Sequence, residues 1–256
     1  MKFSVCIDAV FKGAGIGKKL RDIRSLGGTA FEFWSWWDKD LNEIKEGIRE
    51  TGLTLAAMCT KFISLTDPAQ REAYRAGLAE SVAAANELGC KLLISQVGDD
   101  TGRGETVQKQ SIIDGLNACV PLLEDSGVIL VIEPLNTKID HRGYYLWRSA
   151  EAFEIVDAVA SPRIKVLYDI YHQQIMEGNI INTAGANIQK IGHFHAAGIP
   201  GRGELASGEL HYPAIFSALD RAGYTGYMGL EYFPAQDPLE GLKGLLGGTP
   251  DREAAV

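Results

Sequence analysis

VILVIE, residues 128–133, decides the fold. Five apolar residues in a row, four of them β-branched, leave no polar face, so the strand they form is covered on both sides. Such a strand belongs to a parallel sheet with helices packed outside it. Similar runs flank it: KFSVCI (2–7), TAFEFW (29–34), LTLAAM (53–58) and KLLISQ (91–96) before, and IKVLYD (164–169), KIGHFH (190–195) and GYMGLE (226–231) after. Between them lie helix-patterned stretches. The clearest is QREAYRAGLAESVAAANELG (70–89), which ends on a glycine stop; 39–51, 105–125, 148–160 and 213–223 share the pattern. Eight strands alternating with helices, one about every 32 residues, predict the α/β class. More narrowly they predict a closed (β/α)8 TIM barrel as a single domain over 1–256, with a peripheral tail after about residue 246.

The competing architecture is an open, doubly wound sheet that binds a dinucleotide. It needs GxGxxG after the first strand, and the glycine cluster there, GAGIGKK (13–19), has Lys18 where the third glycine belongs. The same cluster fails as a phosphate-binding P-loop. Net charge −8 disfavours a nucleic-acid partner, which needs local cation density. Cys6, Cys59, Cys90 and Cys119 are 53, 31 and 29 residues apart, so there is no CxxC pair for structural zinc and no compact disulfide framework. The opening MKFSVCIDAVFKG lacks the apolar stretch of a signal peptide, and no run approaches a membrane span. The expectation is a soluble cytoplasmic protein with no membrane partner.

Four predicted strands end in a metal-capable side chain: Glu133, Asp169, His195 and Glu231, at intervals of 36, 26 and 36 residues. Each interval is close to one βα unit, so four consecutive strands bring one group each to the C-terminal rim. That rim is where barrel enzymes keep their chemistry. A lone glutamate at a strand end is ordinarily a cap or a salt bridge, but four in register point to a site. Three carboxylates and one imidazole suit Mn²⁺, Mg²⁺ or Co²⁺.

IEPLN (132–136), YDIYHQQIMEGN (168–179), IGHFHAAGIPGRGELASGEL (191–210) and GLEY (229–232) also resemble the hydroxypyruvate isomerase-like family. That family belongs to the xylose isomerase-like TIM-barrel superfamily, beside the ketose 3-epimerases. The resemblance implies that Glu133, Asp169, His195 and Glu231 ligate a divalent metal ion and that Glu133 and Glu231 move the proton. It places His172 and Arg202 in contact with the substrate, and it implies a homodimer or homotetramer. The implied reaction interconverts hydroxypyruvate and 2-hydroxy-3-oxopropanoate. A ketose or oxo-sugar-acid 3-epimerase is the close alternative, because the same two glutamates serve both. An apurinic-site endonuclease on this fold needs more histidines and a basic face, and an inactive metabolite-binding barrel has no need of four intact ligands.

Other residues remain open at this stage. Glu32 and Asn136 read equally as substrate contacts or structural partners. Lys61 and the histidines His141 and His211 read as surface or loop residues, and His193 reads as a packed neighbour of His195. FEFWSWW (31–37) reads as packing or as an apolar pocket wall.

Overall fold

The computed structural model describes residues 1–247. Eight strands form the predicted barrel: β1 Lys2–Cys6, β2 Ala30–Phe33, β3 Thr54–Cys59, β4 Leu92–Ser95, β5 Ile129–Ile132, β6 Ile164–Asp169, β7 Ile191–Ala196 and β8 Tyr227–Leu230. Every neighbouring pair is parallel. The ring closes where β1 meets β8, with Lys2 opposite Tyr227 and Val5 opposite Leu230. The helices are α1 Ile7–Val10, α2 Ile16–Ser25, α3 Leu41–Thr51, α4 Arg71–Leu88, α5 Glu105–Asn117, α6 Val120–Ser126, α7 Ser149–Val159, α8 Ile170–Met176, α9 Ile180–Ala186, α10 Tyr212–Arg221 and α11 Pro238–Leu246. The predicted tail lies outside the described residues from 248 onward.

Alternation along the strands sorts the core into two parts. Leu130 and Ile132 of β5, Val166 and Tyr168 of β6, Phe194 of β7 and Met228 of β8 join the large apolar layer between strands and helices. Their in-between neighbours face the barrel axis, where Ala57, Cys59, Ile94, Val131 and Leu167 form a small separate cluster. Glu133, Asp169, His195 and Glu231 share the inward parity, two residues beyond Val131, Leu167, His193 and Gly229. The floor is therefore apolar beneath Glu133 and Asp169, where Val131 and Leu167 lie, and polar beneath His195, where His193 lies. Gly229 is required here, because a Cβ at that position would lie 2.4 Å from Glu32 Oε1 and 2.5 Å from the His195 ring.

The helix expected over 105–125 is two helices, α5 and α6. Pro121 lies in the first turn of α6. It has no N–H to donate and its ring crowds a preceding turn, so the helix stops and restarts. The shorter α1, α2, α8, α9 and α11 were not foreseen. The glycines of GAGIGKK lead into α2, whose N-cap is Gly15. Among the described residues no helix is long and apolar enough to cross a membrane.

Candidate metal centre and active site

The four strand-end residues converge. Asp169 and His195 are paired in register on β6 and β7. Glu133 and Glu231 stand one residue past β5 and β8, and their N–H groups extend the pairing to Ser95 O and Ala196 O at 3.3 and 3.1 Å. All four are buried, and one ligand atom from each lies within 4.8 Å of all the others. Donors on opposite sides of an ion, each about 2.0–2.6 Å away, are separated by about 4–5 Å, so this spacing accommodates one. The histidine supports the fit. His195 Nδ1 is buried and makes no hydrogen bond, although it faces Glu231 Oε2 at 3.2 Å and Glu133 Oε1 at 3.7 Å. A buried nitrogen without a partner among hard oxygen donors matches a divalent cation centre.

Beneath the cluster, Glu32 bridges two imidazoles. Its Oε1 lies 2.9 Å from His195 Nε2, and its Oε2 lies 2.9 Å from His193 Nε2 and accepts from Ser4 Oγ at 2.7 Å. Burial acts against ionisation of Glu32, yet His195 and His193 outweigh it and bring its pKa down to about 2. Glu32 and His193 therefore support the site from below. Glu32 places a carboxylate oxygen beside the outer nitrogen of a candidate ligand, the position carboxylates take behind metal-bound histidines.

Charge around Glu231 is arranged asymmetrically. Arg202 Nη2 donates to its Oε2, and Trp34 Nε1 donates to its Oε1. Burial raises the cost of its charge, but Arg202 and then His195 hold its carboxyl well below the usual range. Burial pushes the Asp169 carboxyl up, against the pull of Arg202 and His195. Desolvation lowers His195, but Glu231 and Glu32 overcome it and raise its pKa well above the ordinary value.

Asp169 also opens α8, where its Oδ1 accepts from Tyr171 N at 2.7 Å and His172 N at 3.3 Å. That cap sets His172 at the wall of the site. His172 is fully buried, with Nε2 3.4 Å from Asp169 Oδ2. Burial first, and Arg202 second, lower its pKa to about 3. Arg202 reaches in from the loop after β7, its guanidinium between the rings of Tyr171 and Phe233 at 5.3 and 5.6 Å.

Glu133, His172, His195, Arg202 and Glu231 line a cavity of about 580 Å³ that also touches Trp34, Phe62, Gln96, Leu135, His141 and Tyr144. His141 is a loop residue, as expected; it is half-buried and also lines the cavity, 5.2 Å from the His172 ring. FEFWSWW divides its labour, with Phe31 and Phe33 in the core and Trp34 in the cavity wall. Lys61 turns away to pair with Glu80, and His211 is exposed at the start of α10. The sequence reading did not anticipate Trp34 as a partner of Glu231, nor Gln96, whose Nε2 lies 3.4 Å from Glu133 Oε2. Gln96 closes KLLISQ at the strand-end position, and that placement was the available signal.

Comparison with known proteins agrees with this arrangement. The family described as xylose isomerase-like TIM barrel matches residues 20–247. The chain belongs to the xylose isomerase-like TIM-barrel family. A hydroxypyruvate isomerase of Escherichia coli (strain K12) is 28% identical over 252 residues, which is 95% of this chain and 97% of that one. A 2-oxo-tetronate isomerase of Cupriavidus necator is 41% identical over 116 residues, 45% of this chain and 44% of its own. A crystal structure titled AP endonuclease, family 2, from Brucella melitensis superposes with a TM-score of 0.90 at 25% identity, covering 94% of this chain and 96% of that chain. Within the xylose isomerase-like family this chain is an isomerase enzyme.

Proposed function

We propose that the chain is a divalent-metal-dependent isomerase of small α-hydroxy carbonyl compounds, interconverting hydroxypyruvate and 2-hydroxy-3-oxopropanoate. The observation that carries this reading is the convergence of Glu133, Asp169, His195 and Glu231 within 4.8 Å at the C-terminal rim. Names of relatives support the substrate class. Those four residues would hold Mn²⁺, Mg²⁺ or Co²⁺. When bound, such an ion supplies Lewis acidity, which lowers the cost of removing a proton from the carbon beside a carbonyl.

The rest is work for side chains. In the forward direction a carboxylate takes a proton from the hydroxymethyl carbon of hydroxypyruvate, and the substrate becomes an enediolate. The proton returns to the neighbouring carbon, and a second proton passes from the hydroxymethyl oxygen to the former carbonyl oxygen, which leaves an aldehyde behind. Glu231 lines the cavity and takes the basic role as an ionised carboxylate, at some cost in basicity, because Arg202 and His195 hold its carboxyl well below the usual range. Glu133, from β5, supplies the second carboxylate. Arg202 and His172 border the same space and hold substrate oxygens.

The provenance of the two glutamates favours one further reading. Glu133 and Glu231 come from strands three positions apart around the ring. Two bases that approach a planar enediolate from different sides suit a 3-epimerase of a ketose or oxo-sugar acid. A nucleic-acid substrate is disfavoured by net charge −8 and by a cavity bordered by Glu133 and Glu231. The deciding experiment incubates C3 to C6 hydroxy-carbonyl compounds in D₂O with Mn²⁺ and locates deuterium by NMR after the metal is removed. Deuterium on the original carbonyl carbon, with an aldose–ketose change, marks isomerisation. Inverted C3 carrying deuterium marks epimerisation. No turnover of any member, with metal saturating, removes the reading.

A further inference from the structure

Asn136 sits three residues past Glu133, in the loop that follows β5. Its Oδ1 accepts two backbone hydrogen bonds, from Ile139 N and Asp140 N, both at 3.0 Å. Those two N–H groups settle which end of the amide is oxygen. The other end is therefore an NH₂ group, and both of its hydrogens have a destination. One goes to Asp140 Oδ2 at 2.7 Å, an oxygen that also accepts from Tyr171 OH at 2.9 Å. The second faces His172 Nδ1, also at 2.7 Å. A donor at that distance requires an acceptor, so Nδ1 offers its lone pair and carries no hydrogen. In the imidazole ring the proton must then reside on Nε2. That nitrogen is buried, makes no hydrogen bond although Asp169 Oδ2 stands 3.4 Å away, and belongs to a residue that lines the cavity.

We infer that Asn136 fixes His172 as a neutral imidazole with its proton on Nε2, so that His172 donates a hydrogen bond to a substrate oxygen and does not act as a base. The inference rests on the proposed isomerase reading for what fills the cavity, but the proton's position follows from the hydrogen bonds alone. The role fits the chemistry: oxygen gains negative charge as the enediolate forms, and a fixed neutral donor stabilises that charge without taking the proton meant for carbon. Asn136 is a positioning residue in this scheme, held in turn by Asp140 and the 139–140 backbone.

The test reads the proton directly. Protein carrying ¹⁵N-labelled histidine is studied by NMR, both metal-free and loaded with diamagnetic Mg²⁺, and the His172 signals are assigned by their loss in His172→Gln. The expected result is a protonated Nε2 and a bare Nδ1. Asn136→Asp keeps an oxygen for the Ile139 and Asp140 amides but replaces the donor with an acceptor. It should move the proton to Nδ1 and lower kcat about 10²–10³-fold, the usual cost of one lost donor to a developing oxyanion, with a smaller change in KM. A hydrogen on Nδ1 in the parent protein overturns the inference. So does an Asn136→Asp variant that leaves the proton on Nε2 or turns over like the parent. If the parent itself converts no hydroxy-carbonyl compound, the isomerase reading fails, while the nitrogen shifts still decide the tautomer.

Discussion

Asp169 uses its two oxygens for two purposes, and the difference can be measured. Oδ1 caps α8, while the carboxylate as a whole joins the four-residue cluster. Asparagine caps a helix about as well as aspartate but is a poorer ligand for a hard cation. Asp169→Asn should therefore melt near the parent temperature in the absence of metal and bind Mn²⁺ more weakly. Isothermal titration with Mn²⁺ checks this, and unchanged affinity in both Asp169→Asn and His195→Ala would abolish the proposed centre. Glu133→Gln and Glu231→Gln keep size and one donor oxygen while removing a base. With metal saturating, each should lose about 10²–10⁴-fold in net conversion. If the two glutamates serve opposite faces, one variant should still exchange substrate hydrogen with solvent deuterium. Near-normal turnover in both would place the proton transfer on other groups. These four residues were readable because each ends a strand and the strands recur at a fixed interval. Glu32 and Trp34 could not be assigned from the sequence because their partners are remote along it: Trp34 meets Glu231 across 197 residues. No local pattern encodes such a pairing.

At the scale of elements, the loop between β7 and α10 carries a long side chain on an ordered frame. Gly198 N donates to Gly203 O at 2.7 Å, Glu209 N to Ile199 O at 2.8 Å, and Phe233 N to Arg202 O at 2.8 Å. Arg202 itself has φ of 55°, an uncommon value for a residue with a Cβ. The frame holds it there, with the guanidinium against Glu231. Arg202→Lys keeps the charge but loses the planar fork and the stacking between Tyr171 and Phe233. Losing a charge-assisted hydrogen bond costs about 1.5–3 kcal/mol, so kcat/KM should fall by about 10–150-fold. Thermal stability should barely move, since Arg202→Lys keeps a cation beside Glu231 and deletes none of the apolar side chains, Ala197, Ile199 and Leu205, by which the loop joins the core. Equal kinetics in Arg202→Lys and the parent would make the residue a bystander. Strands and long helices were legible because each buries a periodic or continuous apolar face. The break at Pro121 and the short α8 and α9 were not, because seven residues hold too few turns to display a period.

On the scale of the whole molecule, the eight-fold alternation gave the barrel, and the register then dictated its interior. Apolar side chains fill the lower axis, and charged ones crowd the upper rim on β5 through β8. The ring is closed by β1 and β8, so half of its circumference converges on one cluster of buried carboxylates. Like charges at that range oppose folding, and here they are offset only in part by Arg202 and His195. An ion that binds the folded ring and not the unfolded chain shifts the folding equilibrium by mass action. At a hundred times its Kd the gain is about 2.7 kcal/mol. For a chain of this size about 2–4 °C accompanies each kcal/mol, so Mn²⁺ at that excess should raise Tm by about 5–10 °C. Addition of EDTA should return Tm to the metal-free value. Asp169→Asn, at the same Mn²⁺ concentration, should show a smaller rise because its occupancy is lower. This readout needs no substrate, so it separates the metal centre from the choice among substrates. A parent Tm indifferent to Mn²⁺, Mg²⁺ and Co²⁺ alike would mean that the four side chains serve the barrel's own charge balance and hold no ion.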